Sequence, residues 1–418
     1  MRTRSIAVAA VLAMVLGGVL FVAPPRSLES LPWELVSAGP RVQRDTTFGA
    51  HILRLSEPGG YFDTDNLISN ERSYLHVAPA LRVRAGGGAY IGVGPDQNFA
   101  YIALLRPHVA YILDIRRDNL LVHLLFKALF ERSPDRVAYL AGLTGRSLAS
   151  HDRDAVSGSI HSAGSPAQTA SGVPGSAVAS ADPDDQGDKT LEEIVRWIDS
   201  TPADPEELAR VQRDVRARIE RYGYPLDDED HATIARIHQA FAAQGLSLRF
   251  ESHGRAPLAH YPTLRDLLTE TDRNGVAAGA FVDEASYRYL RQMQQQDRII
   301  PVIGDFSGTH ALRAIAEELQ ADETEVRVFY TSNVEYYLFR SGTFGAFADN
   351  VARLPWHDDA LFIRSVFRGG PPSLASHAVP GYGSVQLAQP AGSFIDRVRS
   401  GGYATYRDLA GHDVLPPR

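Results

Sequence analysis

The sequence predicts an α/β protein built on a parallel sheet, and three observations predict it. Short apolar runs recur as AYIGVG at 89–94, VAYILDI at 109–115, IIPVI at 299–303, VRVFY at 326–330 and LFIRSVF at 361–367. Runs of this length read as strands buried on both faces. Stretches with apolar spacing of three and four lie between them, and strands alternating with helices imply a parallel sheet covered by helices. Polar residues and glycines follow the runs where the core stops, as in an open sheet that binds a ligand beyond its strand ends.

The elements follow in order along the chain. Arg2 and Arg4 precede an uncharged apolar run, Ser5 to Ala23. Its 19 residues span about 28 Å as a helix, close to a bilayer core. Bulky Phe21 and the pair Pro24-Pro25 fit a cleavage site poorly, so residues 1–25 read as a membrane anchor rather than a cleaved signal segment. The arginine bias puts the N-terminus in the cytoplasm and the body of the chain outside it. A mixed lead-in covers 26–66. The span Asn66 to Leu81 predicts a helix, with Ser69 or Asn70 as cap. Residues 67–144 form the first part of the α/β domain. The stretch 145–190, rich in Ser, Ala, Gly, Pro and Asp, cannot bury enough apolar surface to order itself and predicts a disordered insertion. Helical spacing then runs through a helical insert at 191–297, which reads either as a lid or as structural padding. Residues 298–367 resume the alternation, and 368–418 is a Gly- and Pro-rich tail with a helix near 392–398. The expected architecture is a Rossmann-like doubly wound sheet with a helical insertion and an N-terminal transmembrane or signal segment.

Composition narrows the function classes. The chain has 418 residues, a net charge of -8 and no cysteine. An acidic balance argues against a general nucleic-acid binder. Without cysteine there are no disulfides, thiolate zinc sites or cysteine nucleophiles. No HExxH or P-loop is present, and no metal site is expected. GDFSG places Ser307 one position late for a nucleophile elbow. Tyr336 and Tyr337, at helical spacing, read as core.

The strand ends carry the candidate site. After the first strand comes Gly92-Val93-Gly94-Pro95-Asp96-Gln97-Asn98. Glycines allow close backbone approach, and a helix N-terminus offers free N–H groups. Gln97 stands where a dinucleotide fingerprint needs its third glycine, which disfavours a pyrophosphate cofactor and spares a nucleoside ligand. Twenty positions after Gly94, Asp114 ends the next strand, where a carboxylate can accept ribose hydroxyls; its structural alternative is an ion pair with Arg116 or Arg117. Asp305 and Phe306 follow the third strand, suited to an adenine amino group and to covering its face; Asp305 serves equally as a helix cap. Glu71, Tyr74 and Arg364 read as structural.

The blocks SNERSYLHVAPAL, GGAYIGVGPDQNFAYIA, DIRRDNLLVHLLFKALF, RIIPVIGDFSG and VFYTSNVEYYLF resemble class I S-adenosylmethionine-dependent methyltransferases and, more closely, a bacterial family of that fold whose reaction is not assigned. The resemblance covers roughly 67–145 and 283–367. It implies that Gly92, Gly94, Asp114 and Asp305 match cofactor-contacting positions, joined by Asp96 and Phe306. It also implies that the turn after VFY faces the transferred methyl, with Asn333 orienting an acceptor and Glu335 acting as base. The expectation is therefore a methyltransferase of unspecified acceptor, using S-adenosylmethionine as its small-molecule partner and meeting the membrane through its N-terminus. The alternative keeps the fold without the chemistry: an exported or membrane-anchored module that binds a nucleoside, another ligand or a protein.

Overall fold

The computed structural model describes residues 47–64, 67–149, 189–252, 258, 260–367 and 370–417. The segment expected to enter the membrane, most of the lead-in and nearly all of the insertion expected at 145–190 lie outside the described residues. Among the described residues no helix is long and apolar enough to cross a membrane.

The protein is mixed α/β, with one six-stranded, mostly parallel sheet. Its strands are β1 (Ala89–Gly92), β2 (Val109–Asp114), β3 (Ile299–Ile303), β4 (Val326–Ser332), β5 (Trp356–Phe367) and β6 (Ser384–Pro390), in the order β3-β2-β1-β4-β5-β6. The apolar runs form the strands because covered parallel strands have no wet face: every residue of β1 and β3 is buried. β1 pairs with β2 on one side and with β4 on the other. The chain builds outward from β1 to β3, then returns to start β4 on the far side of β1. Right-handed crossovers therefore put the β3–β4 connection on the face opposite the β2–β3 connection. Accordingly, helix Arg117–Arg132 packs against helices 205–221, 228–244 and 284–295, whereas helix Ala311–Ala321 packs against 48–55 and 344–351.

Several elements differ from the sequence reading. β6 rises from the supposed tail and pairs antiparallel with β5 from Leu361↔Pro390 to Phe367↔Ser384. Its sequence, SVQLAQP, hides this because its buried positions include Gln386 and Gln389. Both are satisfied internally: Gln389 accepts from Arg364 at 2.6 Å, and Gln386 donates to the Tyr101 hydroxyl at 3.0 Å. The lead-in contains helix Phe48–Leu55, capped by Thr47. The helix expected from Asn66 begins only at Arg72, as a 3-10 turn to Val77 followed by Ala78–Arg82. Before it the chain is diverted: the Ser69 N–H donates to Asp96 at 3.0 Å and the Glu71 N–H donates to the Ser69 hydroxyl at 3.1 Å. The insert expected at 191–297 is helical, with Leu191–Ser200, Pro205–Arg221, Asp228–Gln244, Leu264–Leu268 and Glu284–Gln295.

Candidate functional site

A cavity of about 660 Å³ opens where the strand order reverses, within the range of small-molecule sites. Four strand ends form its floor: Val93 and Gly94 after β1, Asp114 to Arg116 at β2, Gly304 to Phe306 after β3, and Ser332 to Val334 at β4. The lead-in contributes Phe62 and Thr64, and the helical insert contributes Phe250, Ser252 and Tyr261. The insert thus forms a wall of the cavity.

The loop after β1 is held by Asn98. Its Nδ2 donates to the carbonyls of Val93, Gly94 and Pro95 at 3.1, 3.0 and 2.8 Å, and its Oδ1 accepts from Tyr90 at 2.7 Å. This explains Gly92 without a ligand. A Cβ there would lie 2.1 Å from Asn98 Oδ1, so Gly92 makes room for the brace and does not border the cavity. Gly94, at φ +82°, does border it. The Gly94 carbonyl also accepts from His123 Nε2 at 2.9 Å; burial brings that imidazole down to about 4 and keeps it neutral. Asp96 is turned away from the cavity to hold the Ser69 N–H, and burial pushes its carboxyl up to about 6. Gln97, by contrast, lines the cavity. Its Nε2 donates to the Tyr330 oxygen at 3.0 Å, and its Oε1 is buried without a partner.

Asp114 lies on the rim but is largely occupied. Arg116 donates from Nε to Oδ1 at 3.0 Å, from Nη2 to Oδ2 at 2.7 Å and from its backbone N–H to Oδ1 at 3.0 Å. A carboxylate has about four acceptor sites, so one more donor fits and two ribose hydroxyls do not. Arg116 itself is tied to the Thr64 hydroxyl at 2.8 Å.

At β3, Asp305 Oδ1 accepts from the Ser307 N–H and hydroxyl, both at 2.8 Å, which forms a local turn and not the helix cap. The helix start is held by a residue absent from the sequence reading. Glu57 accepts from the Asp305 N–H at 2.8 Å and from the His310 N–H at 3.0 Å. It fills the space above Gly308, where a Cβ would lie 2.0 Å from Glu57 Oε1. Phe306 touches the cavity, yet its ring is stacked on Phe347 and edge-on to Phe329. It is a core residue and not an adenine cover.

At β4 the expected pair separates. Asn333 lines the cavity and makes no cap hydrogen bond. Glu335 is fully buried and both its oxygens are held by Arg364, each at 3.0 Å, with Thr331 adding a third bond at 3.1 Å. It has no access to an acceptor, which removes it as the base. Arg364 and Tyr74 are structural; the Tyr74 hydroxyl donates to the Leu267 carbonyl at 2.8 Å.

Glu71, read as structural from sequence, is instead a wall of the cavity. It is 1% exposed, accepts from Tyr330 at 2.6 Å, and meets the Ser332 and Ser365 hydroxyls. Only its place in an irregular turn, paired with β4 and β5 from far along the chain, makes this visible. A second cavity of about 610 Å³ adjoins the first, sharing Asn70, Tyr261, Asn333 and Tyr337. Tyr336 and Tyr406 also line it. Tyr336 and Tyr337 are 40% and 38% exposed, so they form cavity walls and not core. Among the described residues no group of three His, Asp or Glu is placed to hold a metal ion.

No curated protein matches the chain. The family described as Domain of unknown function (DUF7790) matches residues 66–161 and 207–392, well over half of the sequence. The chain therefore belongs to the DUF7790 family.

Proposed function

We propose that the protein is a Rossmann-like S-adenosylmethionine-dependent methyltransferase. One observation carries the reading: Gly94 after β1 and Asp114 at the end of β2 border the same cavity at the strand-order reversal, where doubly wound sheets bind nucleotides. The fit is specific in its polar groups. The backbone at Gly94 gives close approach, Asp114 has capacity for one ribose hydroxyl, and Asp305 Oδ2 is left for an amino group. Phe62, Phe250 and Tyr261 supply aromatic surface. When bound, the cofactor supplies a methyl group on a sulfonium leaving group. The chain's own task is then alignment, and Asn333, on the boundary of both cavities, is placed to orient an acceptor lying in the second.

Calorimetry tests this. The full chain is expected to bind S-adenosylhomocysteine, and Asp114→Ala to weaken it by about 1–3 kcal/mol, the scale of a lost hydrogen bond to a charged group. No heat at millimolar ligand would remove the reading.

A second reading, ligand binding without methyl transfer, is favoured by the loss of Glu335 as a base and by the engagement of Asp114 with Arg116. It predicts binding with no transfer of a labelled methyl to any acceptor offered. The N-terminal run raises the same question, since adenosylmethionine is made in the cytoplasm. We infer a membrane segment at 1–25 with the body exported; a reporter fused to the C-terminus that is active in the cytoplasm would contradict that orientation.

A further inference from the structure

The hydroxyls and amides around Glu71 fit a neutral side chain better than a charged one. The Tyr101 hydroxyl donates to the Tyr74 carbonyl at 2.8 Å, so toward Gln386 it can only accept. The Gln386 group facing it at 3.0 Å is therefore the NH₂, which turns Oε1 of Gln386 to Ser365. Ser365 has one hydroxyl hydrogen, and Gln386 Oε1 takes it. Ser365 Oγ also meets Glu71 Oε2. With its hydrogen already given, Ser365 can only accept there, and the hydrogen must come from Glu71. Tyr330, whose oxygen receives Gln97, donates to the same Oε2, and Ser332 donates to Oε1. These contacts accommodate Glu71 as a neutral carboxylic acid.

Its surroundings explain why it stays so. Burial raises its pKa, and among the described residues no Lys, Arg or His pairs with it. The titratable groups facing it are Tyr330 of β4, Tyr101, Tyr90 of β1 and Tyr406, all pushed up mainly by burial. The nearby Glu335–Arg364 pair is internally neutralised. Ionisation would make Ser365 turn its hydrogen to Glu71 and leave Gln386 Oε1 bare, or else leave two acceptors in contact. Either loss resists ionisation until a positive charge arrives. Beside Glu71, Gln97 is 6% exposed, lines the cavity and leaves Oε1 without a donor.

We propose that the Glu71–Gln97 wall is the subsite for an ammonium group of the ligand, and that Glu71 releases its proton to solvent as that group binds. The balance is Glu71–COOH plus R–NH₃⁺ giving a carboxylate–ammonium pair plus one proton. An ammonium has three donors, and this wall carries a carboxyl and the buried, unpartnered Oε1 of Gln97. The inference rests on the adenosylmethionine reading for the ligand's identity, because the amino-acid end of that molecule carries the ammonium.

The full chain is titrated with S-adenosylhomocysteine, which has the ammonium, and with 5′-methylthioadenosine, which lacks it. Each titration is run near pH 7 in phosphate and in Tris, whose ionisation heats differ. The expected result is at least tenfold tighter binding of S-adenosylhomocysteine, with close to one proton released and loss of the infrared carbonyl band of a protonated carboxyl. Glu71→Gln, isosteric with the neutral acid, is expected to melt like the parent, to release no proton and to bind the two ligands alike. Equal binding of both ligands by the parent, or proton release unchanged in Glu71→Gln, overturns the subsite and leaves the nucleoside reading standing. If neither ligand binds, the nucleoside reading and the subsite fall together.

Discussion

Gly92 and Glu335 show how single residues change meaning once neighbours are known. A glycine after a strand and a carboxylate at the next turn both look like ligand contacts. Gly92 proves to be a spacer for Asn98, and Gly92→Ala is expected to cost about 1–3 kcal/mol through overpacking, read as a lower melting temperature. Glu335 proves to be one half of a fully buried ion pair. Arg364→Ala would leave its charge unpaired, at a cost of about 3–5 kcal/mol; a chemical denaturation midpoint close to the parent's would refute that role. Neither residue was legible from spacing, because each partner lies on another element: Arg364 is on β5, a strand away from the turn carrying Glu335. Gly94 and Asp114 were legible, because strand–glycine–helix–strand–acid is a local order that sheet topology turns into proximity.

At the scale of elements, the buried strands declared themselves and the polar ones did not. β1 to β4 are largely apolar runs because both faces are covered, and β5 becomes one only from Ala360, after an exposed start at Asp358 and Asp359. β6 was missed because its inward Gln386 and Gln389 answer Ser365, Tyr101 and Arg364, and a buried glutamine looks solvent-facing until its partners are known. The segment before β1 carries the same lesson. Ser69 to Glu71 was expected in a helix, yet the Ser69 N–H is claimed by Asp96 and the Glu71 side chain by β4 and β5. Glu57 is the clearest loss: a lone glutamate in a lead-in, it holds two N–H groups after β3 in the manner of an anion at a helix N-terminus. Glu57→Ala is expected to loosen this turn, giving faster amide exchange at Asp305 and His310 than in the parent; unchanged exchange at both would count against the assignment.

For the whole molecule, pH dependence gathers groups from distant elements. His123 and His238 are both lowered to about 4, chiefly by burial, and each bonds a carbonyl, of Gly94 and Gly142. Their folded values lie below the unfolded one of about 6.5. The unfolded chain therefore binds more protons between about pH 4 and 6.5, and their contribution is complete above that window and lost as pH falls through it. Asp96, raised to about 6, acts oppositely: its contribution is present below its unfolded value and lost as pH rises through about 6. The loss from His123 and His238 is expected to lower the melting temperature on acidification from pH 6.5 to 4, opposed by Asp96 and by Glu71, whose pKa burial also raises. His238→Gln should shrink that fall, and a fall of the same size in the variant would overturn the assignment. The same scale governs the cavity, since its walls come from the lead-in, four strand ends and the helical insert.

The sequence by itself determined the mixed α/β class, five of the six strands, the helical character of 191–297 and the meeting of the β1 and β2 ends, because apolar periodicity and short-range order are written along the chain. Tertiary structure alone decided which polar side chains face the cavity. Arg116 taking most of Asp114, Arg364 taking Glu335, and three hydroxyls from β4 and β5 enclosing Glu71 are all choices of partner. A buried polar group is defined by whichever donor or acceptor satisfies it, and here that partner often lies on a strand or segment far along the chain.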